Sequence, residues 1–178
     1  MLTHLVRELN VTSSRHLPTH ARPAARLSRH LVLLVIGLSL LLTACLNQAE
    51  QRYRAGSDLH DEGLLEEAIA EYDRAIQLEP ELAAAYFDRG RAHAELGQDE
   101  RAIRDYDEDI ELNPKSAKAH KYRGESYIRL GEYRAAIRDF DEAIRLGQSD
   151  AAVYSGRGAA HLAVGELERA VEDLNEAV

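Results

Sequence analysis

Tryptophan is absent from the 178 residues, methionine and cysteine occur once each, and there are only four prolines. A single cysteine cannot form an internal disulfide, so the fold must stand without that staple. Scarce proline leaves most of the chain open to helix, and the dominant Ala, Leu, Glu, Arg and Asp give a helix-friendly composition. The chain also lacks an apolar run of the roughly 20 residues that a membrane-crossing helix needs. The run Leu31–Leu42 spans 12 residues and is interrupted by Gly37 and Ser39. A basic surplus is missing too. The net charge is −9, and the first 44 residues hold Arg7, Arg15, Arg22, Arg26 and Arg29 against Glu8, so residues 45–178 carry −13. Such an acidic domain repels phosphate backbones, which excludes nucleic acid as an expected partner and leaves protein partners open.

Catalytic and metal-binding patterns are equally scarce. His60, His93, His120 and His161 are never four residues apart, and no second cysteine joins them, so no metal and no cofactor is expected. Gly156-Arg157-Gly158 has no strand before it to make a dinucleotide loop. Ser57, Ser126 and Ser155 have no His and Asp arranged to activate them. The carboxylates Asp105, Asp107, Glu108 and Asp109 fall at helical spacing as a solvated face. No catalytic residue is assigned, and the chain is not expected to be an enzyme.

What is present begins with an address. Arg26, Arg29 and His30 lead into the short apolar run, which closes on Leu42-Thr43-Ala44-Cys45. A basic lead, a short apolar core and small residues are the marks of an export signal. The last four residues resemble the lipobox of bacterial lipoproteins. The resemblance implies that residues 1–44 are a signal peptide, removed so that Cys45 becomes a lipid-bearing N-terminus carrying acyl chains such as palmitate. At ~0.8 kcal/mol per buried CH₂, two or more chains give stable membrane anchoring. The place implied is the bacterial cell envelope. Leu46, where an Asp would signal retention, favours the outer membrane in a Gram-negative cell, and otherwise the outer face of the plasma membrane is expected. Residues 1–25 show no periodicity, which suggests that translation starts nearer Leu27. Residues 45–48 form a tether that reaches about 14 Å at ~3.5 Å per residue.

A 34-residue period organises the rest. Gly56, Gly90, Gly124 and Gly158 recur at that interval, as do Gly63, Gly97, Gly131 and Gly165, and Ala68, Ala102, Ala136 and Ala170. Fixed self-similarity of this length marks stacked supersecondary units. The units are 49–82, 83–116, 117–150 and an incomplete 151–178. Each reads as two helices, for example Ala85–Leu96 and Glu100–Leu112. Pro80, Asn113-Pro114 and Leu146-Gly147 stop the second helices, and Ser116 and Asp150 are candidate N-caps. Ile103, Tyr106 and Ile110, and again Ile137, Phe140 and Ile144, make one buried stripe. The first-helix glycines and second-helix alanines mark close helix crossings.

The run AYFDRGRAHAELGQDERAIRDYDEDIELNP and its neighbours resemble the tetratricopeptide repeat. The resemblance covers residues 49–178 and implies an all-α, right-handed superhelical solenoid of about four helix-turn-helix repeats. Some positions depart from the family pattern. Arg89, Arg123 and Arg157 stand where Leu is usual, Asp109 where a small residue is usual, and His93 and His161 where Tyr is usual. The three arginines follow Glu71, Asp105 and Asp139 by 18 residues each, which predicts ion pairs between successive units and not within them.

The family shape implies a concave groove lined by the first helices. Its positions here are Tyr53, Ser57 and His60; Phe87, Arg91 and Ala94; Lys118, Lys121, Glu125 and Ile128; and Ser155, Ala159 and Leu162. Phe87 and Ile128 are expected as exposed apolar anchors, and Arg91, Lys118 and Lys121 as a basic island for an acidic peptide or a chain-terminal carboxylate. The clamp of the chaperone-tail receptors is not matched: Tyr53, Ser57, Asp88 and Glu125 fill its positions, and only Lys121 fits. The function implied is a lipid-anchored interaction scaffold whose partner is a membrane-associated protein or peptide client. Two alternatives are a homo-oligomer, because Val171, Leu174 and Val178 have no following helix to cover them, and the first part of a longer regulatory or enzymatic protein.

Overall fold

The computed structural model describes residues 29–178, so most of the expected signal peptide, and the side chain of Cys45, lie outside the described residues. Eight helices and no strands are found among them: α1 (Arg29–Asp61), α2 (Leu65–Leu78), α3 (Ala83–Glu95), α4 (Asp99–Leu112), α5 (Ala117–Arg129), α6 (Tyr133–Arg145), α7 (Ala151–Ala163) and α8 (Leu167–Glu176). The chain divides after Gly37 into two units, and the repeats lie in the second, Leu38–Val178. No described helix is long and apolar enough to cross a membrane. Residues 45–48, read from the sequence as a tether, are helical and continue into the first repeat within α1.

Each unit is a helical hairpin turned by one glycine. Gly63, Gly97, Gly131 and Gly165 hold φ between 71 and 83°, a left-handed conformation that glycine adopts without a Cβ penalty. The two helices then close on small residues. A Cβ on Gly90 would lie 2.8 Å from a ring carbon of Tyr106, and one on Gly56 would lie 2.7 Å from Tyr72. The core is accordingly narrow: Ala68, Ala102, Ala136, Tyr72, Tyr106 and Phe140 are essentially without solvent exposure. Successive hairpins stack in chain order, α2 on α3, α4 on α5 and α6 on α7. The first helices also touch one another, α3 with α5 and α5 with α7, whereas α4 and α6 do not meet. The first helices therefore form the inner wall of the solenoid.

The caps differ in part from the sequence reading. Asp150 caps α7, its carboxylate accepting from the Val153 amide at 3.1 Å. Ser116 makes no cap bond at α5. Its hydroxyl instead donates to Asp109 Oδ2 at 2.6 Å, because Asp109 is buried where the neighbouring units have Ala75 and Ala143 and has no closer donor.

The arginines also correct an expectation. Arg123 binds Asp139 of its own unit through two nitrogens, at 2.6 and 2.8 Å, and reaches Asp107 of the preceding unit at 2.5 Å. Arg89 does the same with Asp105 and Asp73. Arg157 repeats it with Asp173 and Asp141. The offset is 16 residues in both directions, not 18, so each guanidinium joins carboxylates within and between units. The cause is helix geometry: two residues apart on a helix face different sides, so Asp105 looks back to Arg89 while Asp107 looks on to Arg123.

Candidate protein-binding groove

The inner wall carries an aromatic triangle. Phe87 of α3 meets Tyr122 of α5 edge-on at 5.5 Å between centroids and is tilted against Tyr106 at 6.0 Å. Tyr106 and Tyr122 are 6.3 Å apart. The rings form because α4 brings Tyr106 beneath the crossing of α3 and α5, where Gly90 leaves room for it. Cations lie over the outer ring: Arg91 at 5.9 Å and Lys121 at 5.7 Å from the Tyr122 centroid. Such contacts hold long side chains flat against an aromatic face.

Two clefts open on either side of Tyr122. One, of about 230 Å³, is lined by Arg91, Ala94, Glu95, Tyr106, Tyr122, Glu125 and Arg129. The other, also about 230 Å³, is lined by Phe87, Arg91, Lys118, Lys121, Tyr122 and Gln148. Both are below the ~300–1,000 Å³ of sites that enclose a drug-sized ligand. Each suits a side chain projecting from a longer ligand.

The charges of this wall are largely spoken for. Arg91 donates to Asp88 at 3.1 Å and approaches Glu95 at 3.8 Å. Lys121 reaches Asp150 of the following turn at 3.3 Å. Two cations of the expected basic island are thus already neutralised, and Lys118 is the exposed one. Arg129 is held by Asp99 at 2.6 and 2.8 Å. Two groups are not matched. The Tyr106 hydroxyl is buried and has no hydrogen-bond partner among the described residues. Glu125 has no hydrogen bond or ion pair there either; burial pushes its carboxyl above the usual range, against the lowering influence of Lys121 and Arg129.

The structure places the remaining expected groove residues unevenly. Tyr53 is half-buried, stacked on Tyr72 at 6.0 Å, and donates its hydroxyl to Asp88 Oδ2 at 2.8 Å. Burial, with Asp88 beside it, holds that phenol protonated well above its usual range. His60 is buried instead of open to the groove, its Nε2 3.0 Å from Glu95 Oε1. Phe87 and Ile128 are not exposed anchors: Phe87 is half-covered by the two tyrosines, and Ile128 packs on the cluster of Ala136, Phe140 and Val153. Ser57 and Ala94 are half-buried, while Ser155, Ala159 and Leu162 are exposed along α7, Leu162 at 56%. Among the described residues no group of His, Cys, Asp and Glu is placed to hold a metal.

Five lining residues, Glu95, Tyr106, Tyr122, Arg129 and Gln148, escaped the sequence reading, the two tyrosines for different reasons. Tyr106 lay in the apolar stripe, where Tyr72 and Phe140 are its counterparts, and its ring was read as core without regard to its hydroxyl. Tyr122 occupies a position filled by Arg54, Asp88 and Gly156 in the other units. That lack of repetition was the available signal, since scaffold positions recur and ligand-facing ones need not.

Repeat models match most of this architecture. One described as "TPR repeat" matches residues 56–97 and 124–165, and one described as "Tetratricopeptide repeat" matches 83–116. Among solved structures, a crystal structure of MamA is similar at 27% identity with a TM-score of 0.71, covering 78% of this chain and 81% of that one. MamA from Desulfovibrio magneticus RS-1, residues 41 to the end, is similar at 23% identity and a TM-score of 0.70, covering 74% of each chain. The first such domain of Spaghetti (RPAP3), bound to an HSP90 peptide, shares the fold at 21% identity and a TM-score of 0.59, with 72% of this chain and 94% of that one covered. No functionally curated protein matches the chain significantly.

Proposed function

Because the chain belongs to the tetratricopeptide repeat family, a family of protein-interaction modules, we propose that it is a lipid-anchored scaffold of a bacterial cell envelope. It holds a segment of a client protein along the wall formed by α3, α5 and α7. The observation that carries the groove is the pair of clefts flanking Tyr122, set between α3 and α5 and sized for side chains of an extended ligand. The anchor rests on the basic lead, the short apolar run and the lipobox ending at Cys45. At 1.5 Å per helical residue, the four positions from Cys45 to Ala49 advance only about 6 Å. The groove then works close to the bilayer, and its client is membrane-associated.

Photo-crosslinkers at Ala94 and Lys118, compared with an outward control at Arg104 on α4, test the groove in native envelopes. One abundant client adduct from both groove positions, missing from the control, is expected; equal labelling from all three refutes the groove. Feeding cells an alkyne-bearing palmitate analogue tests the anchor separately. Label on the wild-type chain that disappears in Cys45→Ala is expected, and an unlabelled wild type refutes lipidation.

A second reading is self-association through α8, where Leu167, Val171 and Leu174 are 56, 58 and 44% exposed. Sedimentation of the full chain in detergent decides it: a mass that rises with concentration and falls to the monomer in Val171→Glu supports a homo-oligomer.

A further inference from the structure

The outer face of α8 repeats a surface that elsewhere in the molecule receives a helix. Leu167, Val171 and Leu174 fall at i, i+4 and i+7, so they form one stripe, and all three stand exposed. One unit earlier the same stripe is Tyr133, Ile137, Phe140 and Ile144 of α6, and there it is covered by α7. Val153 and Ala160 of α7 pack into one cluster with it, and a Cβ on Gly156 would lie 2.7 Å from the Phe140 ring. The stripe is therefore shaped for a helix that brings small side chains to the crossing.

Charge narrows the choice of helix. Asp73, Asp107 and Asp141 each bind the arginine of the next unit, and the fourth position of that series is Asn175. An amide offers a following guanidinium no charge, so another arginine-bearing unit of this repeat does not suit the face. The flank of the stripe differs too. On α6 it carries Arg134 and Arg138, which line a cleft together with Val164 of the following unit. The same positions on α8 are Glu168 and Glu172, both exposed and in no ion pair among the described residues. The one cation of α8, Arg169, is turned to Glu166 at 3.0 Å. A second copy, meeting this face with its own, brings the same acids to the same flank as like charges.

We propose that the α8 face is a second docking surface, separate from the groove, for an amphipathic helix of a partner protein whose apolar stripe is flanked by Lys or Arg. The stripe of Leu167, Val171 and Leu174 supplies the contact, as its counterpart on α6 does for α7. Glu168 and Glu172 choose among helices by charge and fix their register, which is what charges at the edge of an interface do. Being exposed, they act less as salt is raised.

The test selects a phage-displayed library of amphipathic helices on the full chain held in nanodiscs of neutral phospholipid. Stripe positions vary among Ala, Val, Ile and Leu, and flanking positions among Lys, Gln and Glu. Helices enriched for Lys at the flank are expected, with the enrichment lost on the Glu168→Lys, Glu172→Lys double variant. For the best helix, followed by fluorescence anisotropy at low salt, that double variant weakens binding roughly tenfold. Val171→Glu abolishes it. Arginines already occupy the equivalent places on α6, so the double variant keeps the fold, and helical circular dichroism serves as the check for both chains. Neutral or acidic flanks, recovery of no helix, or binding that survives Val171→Glu overturns the proposal. A wild type that self-associates at the selection concentration, and stops doing so in Val171→Glu, gives the face to a second copy and overturns it as well. The groove residues are unchanged in every variant, so none of these outcomes bears on the groove.

Discussion

Replacing Arg123 by alanine removes a guanidinium that is only 18% exposed and leaves Asp139, 7% exposed, with the His120 contact at 3.1 Å. Breaking a buried pair from one side costs about 3–5 kcal/mol, because the remaining charge stays desolvated. The exposed fifth of the guanidinium and the surviving histidine reduce that, so the expected loss is about 2–3 kcal/mol at neutral pH. Asp139→Ala removes the same inner contact. Asp107→Ala removes only the outer one, to a carboxylate 50% exposed, and should cost about 0–1 kcal/mol. The pH dependence separates this account from simple loss of packing. Burial raises the Asp139 pKa, but hydrogen bonds from Arg123 and His120 outweigh it and hold the carboxyl below its usual range. Its contribution is therefore fully present above the ordinary carboxylate pKa and lost as pH falls through the depressed one. Without Arg123, burial is opposed by His120 alone, so the mutant loses less on acidification. Urea unfolding of the full chain, followed by helical circular dichroism between about pH 7 and pH 3, should show the gap between wild type and Arg123→Ala narrowing with acid. A gap that stays constant across that range, or an Asp107→Ala cost equal to that of Asp139→Ala, refutes the reasoning.

Three further outcomes follow from single sites. Tyr106→Phe should raise stability by about 1–2 kcal/mol, measured by urea midpoint, since it removes an unpaired buried hydroxyl; a loss of stability would mean that the oxygen has a partner. Asp109→Ala should raise the melting temperature at neutral pH, because burial pushes this carboxyl above its usual range, against the lowering hydrogen bond from Ser116. The ionised form is disfavoured in the fold, so the gain should shrink as pH falls and the wild-type carboxyl protonates; a gain that grows with acid contradicts it. Gly90→Ala should cost about 1–3 kcal/mol from the clash with Tyr106. Gly97→Ala, with φ of 71° and open space around it, should cost about 1 kcal/mol from backbone strain alone, and equal thermal shifts for the two would contradict the crossing geometry.

The repeat period made the fold legible, because glycine and alanine at fixed intervals mark positions where the backbone itself is constrained. Gly90 against Tyr106 and Gly97 in the turn follow directly from that logic. The helix bounds came out within two residues, as with Ala83–Glu95 against an expected 85–96. Side-chain partnerships were less accessible. Spacing in sequence identified Arg89, Arg123 and Arg157 as unusual, yet their partners depend on which side of α2, α4 and α6 an aspartate faces, a matter of two residues. Exposure in the groove was harder still. His60, Phe87 and Ile128 were assigned by position within the unit, but Glu95, Tyr122 and Phe140 from adjoining elements decide how far each is covered.

The arginine ladder has a mechanical consequence. Its inner rungs tie the two helices of one hairpin together away from solvent, while its outer rungs, at Asp73, Asp107 and Asp141, stand 47–56% exposed. Water-facing ion pairs weaken as salt shortens the screening length from about 10 Å at 0.1 M toward about 3 Å at 1 M. The buried inner rungs are screened less than the outer ones, so salt loosens the joints between hairpins more than the hairpins themselves. The solenoid is thus a stack of plates whose joints are more salt-sensitive than the plates themselves, so the span of the groove varies with the ionic strength around it.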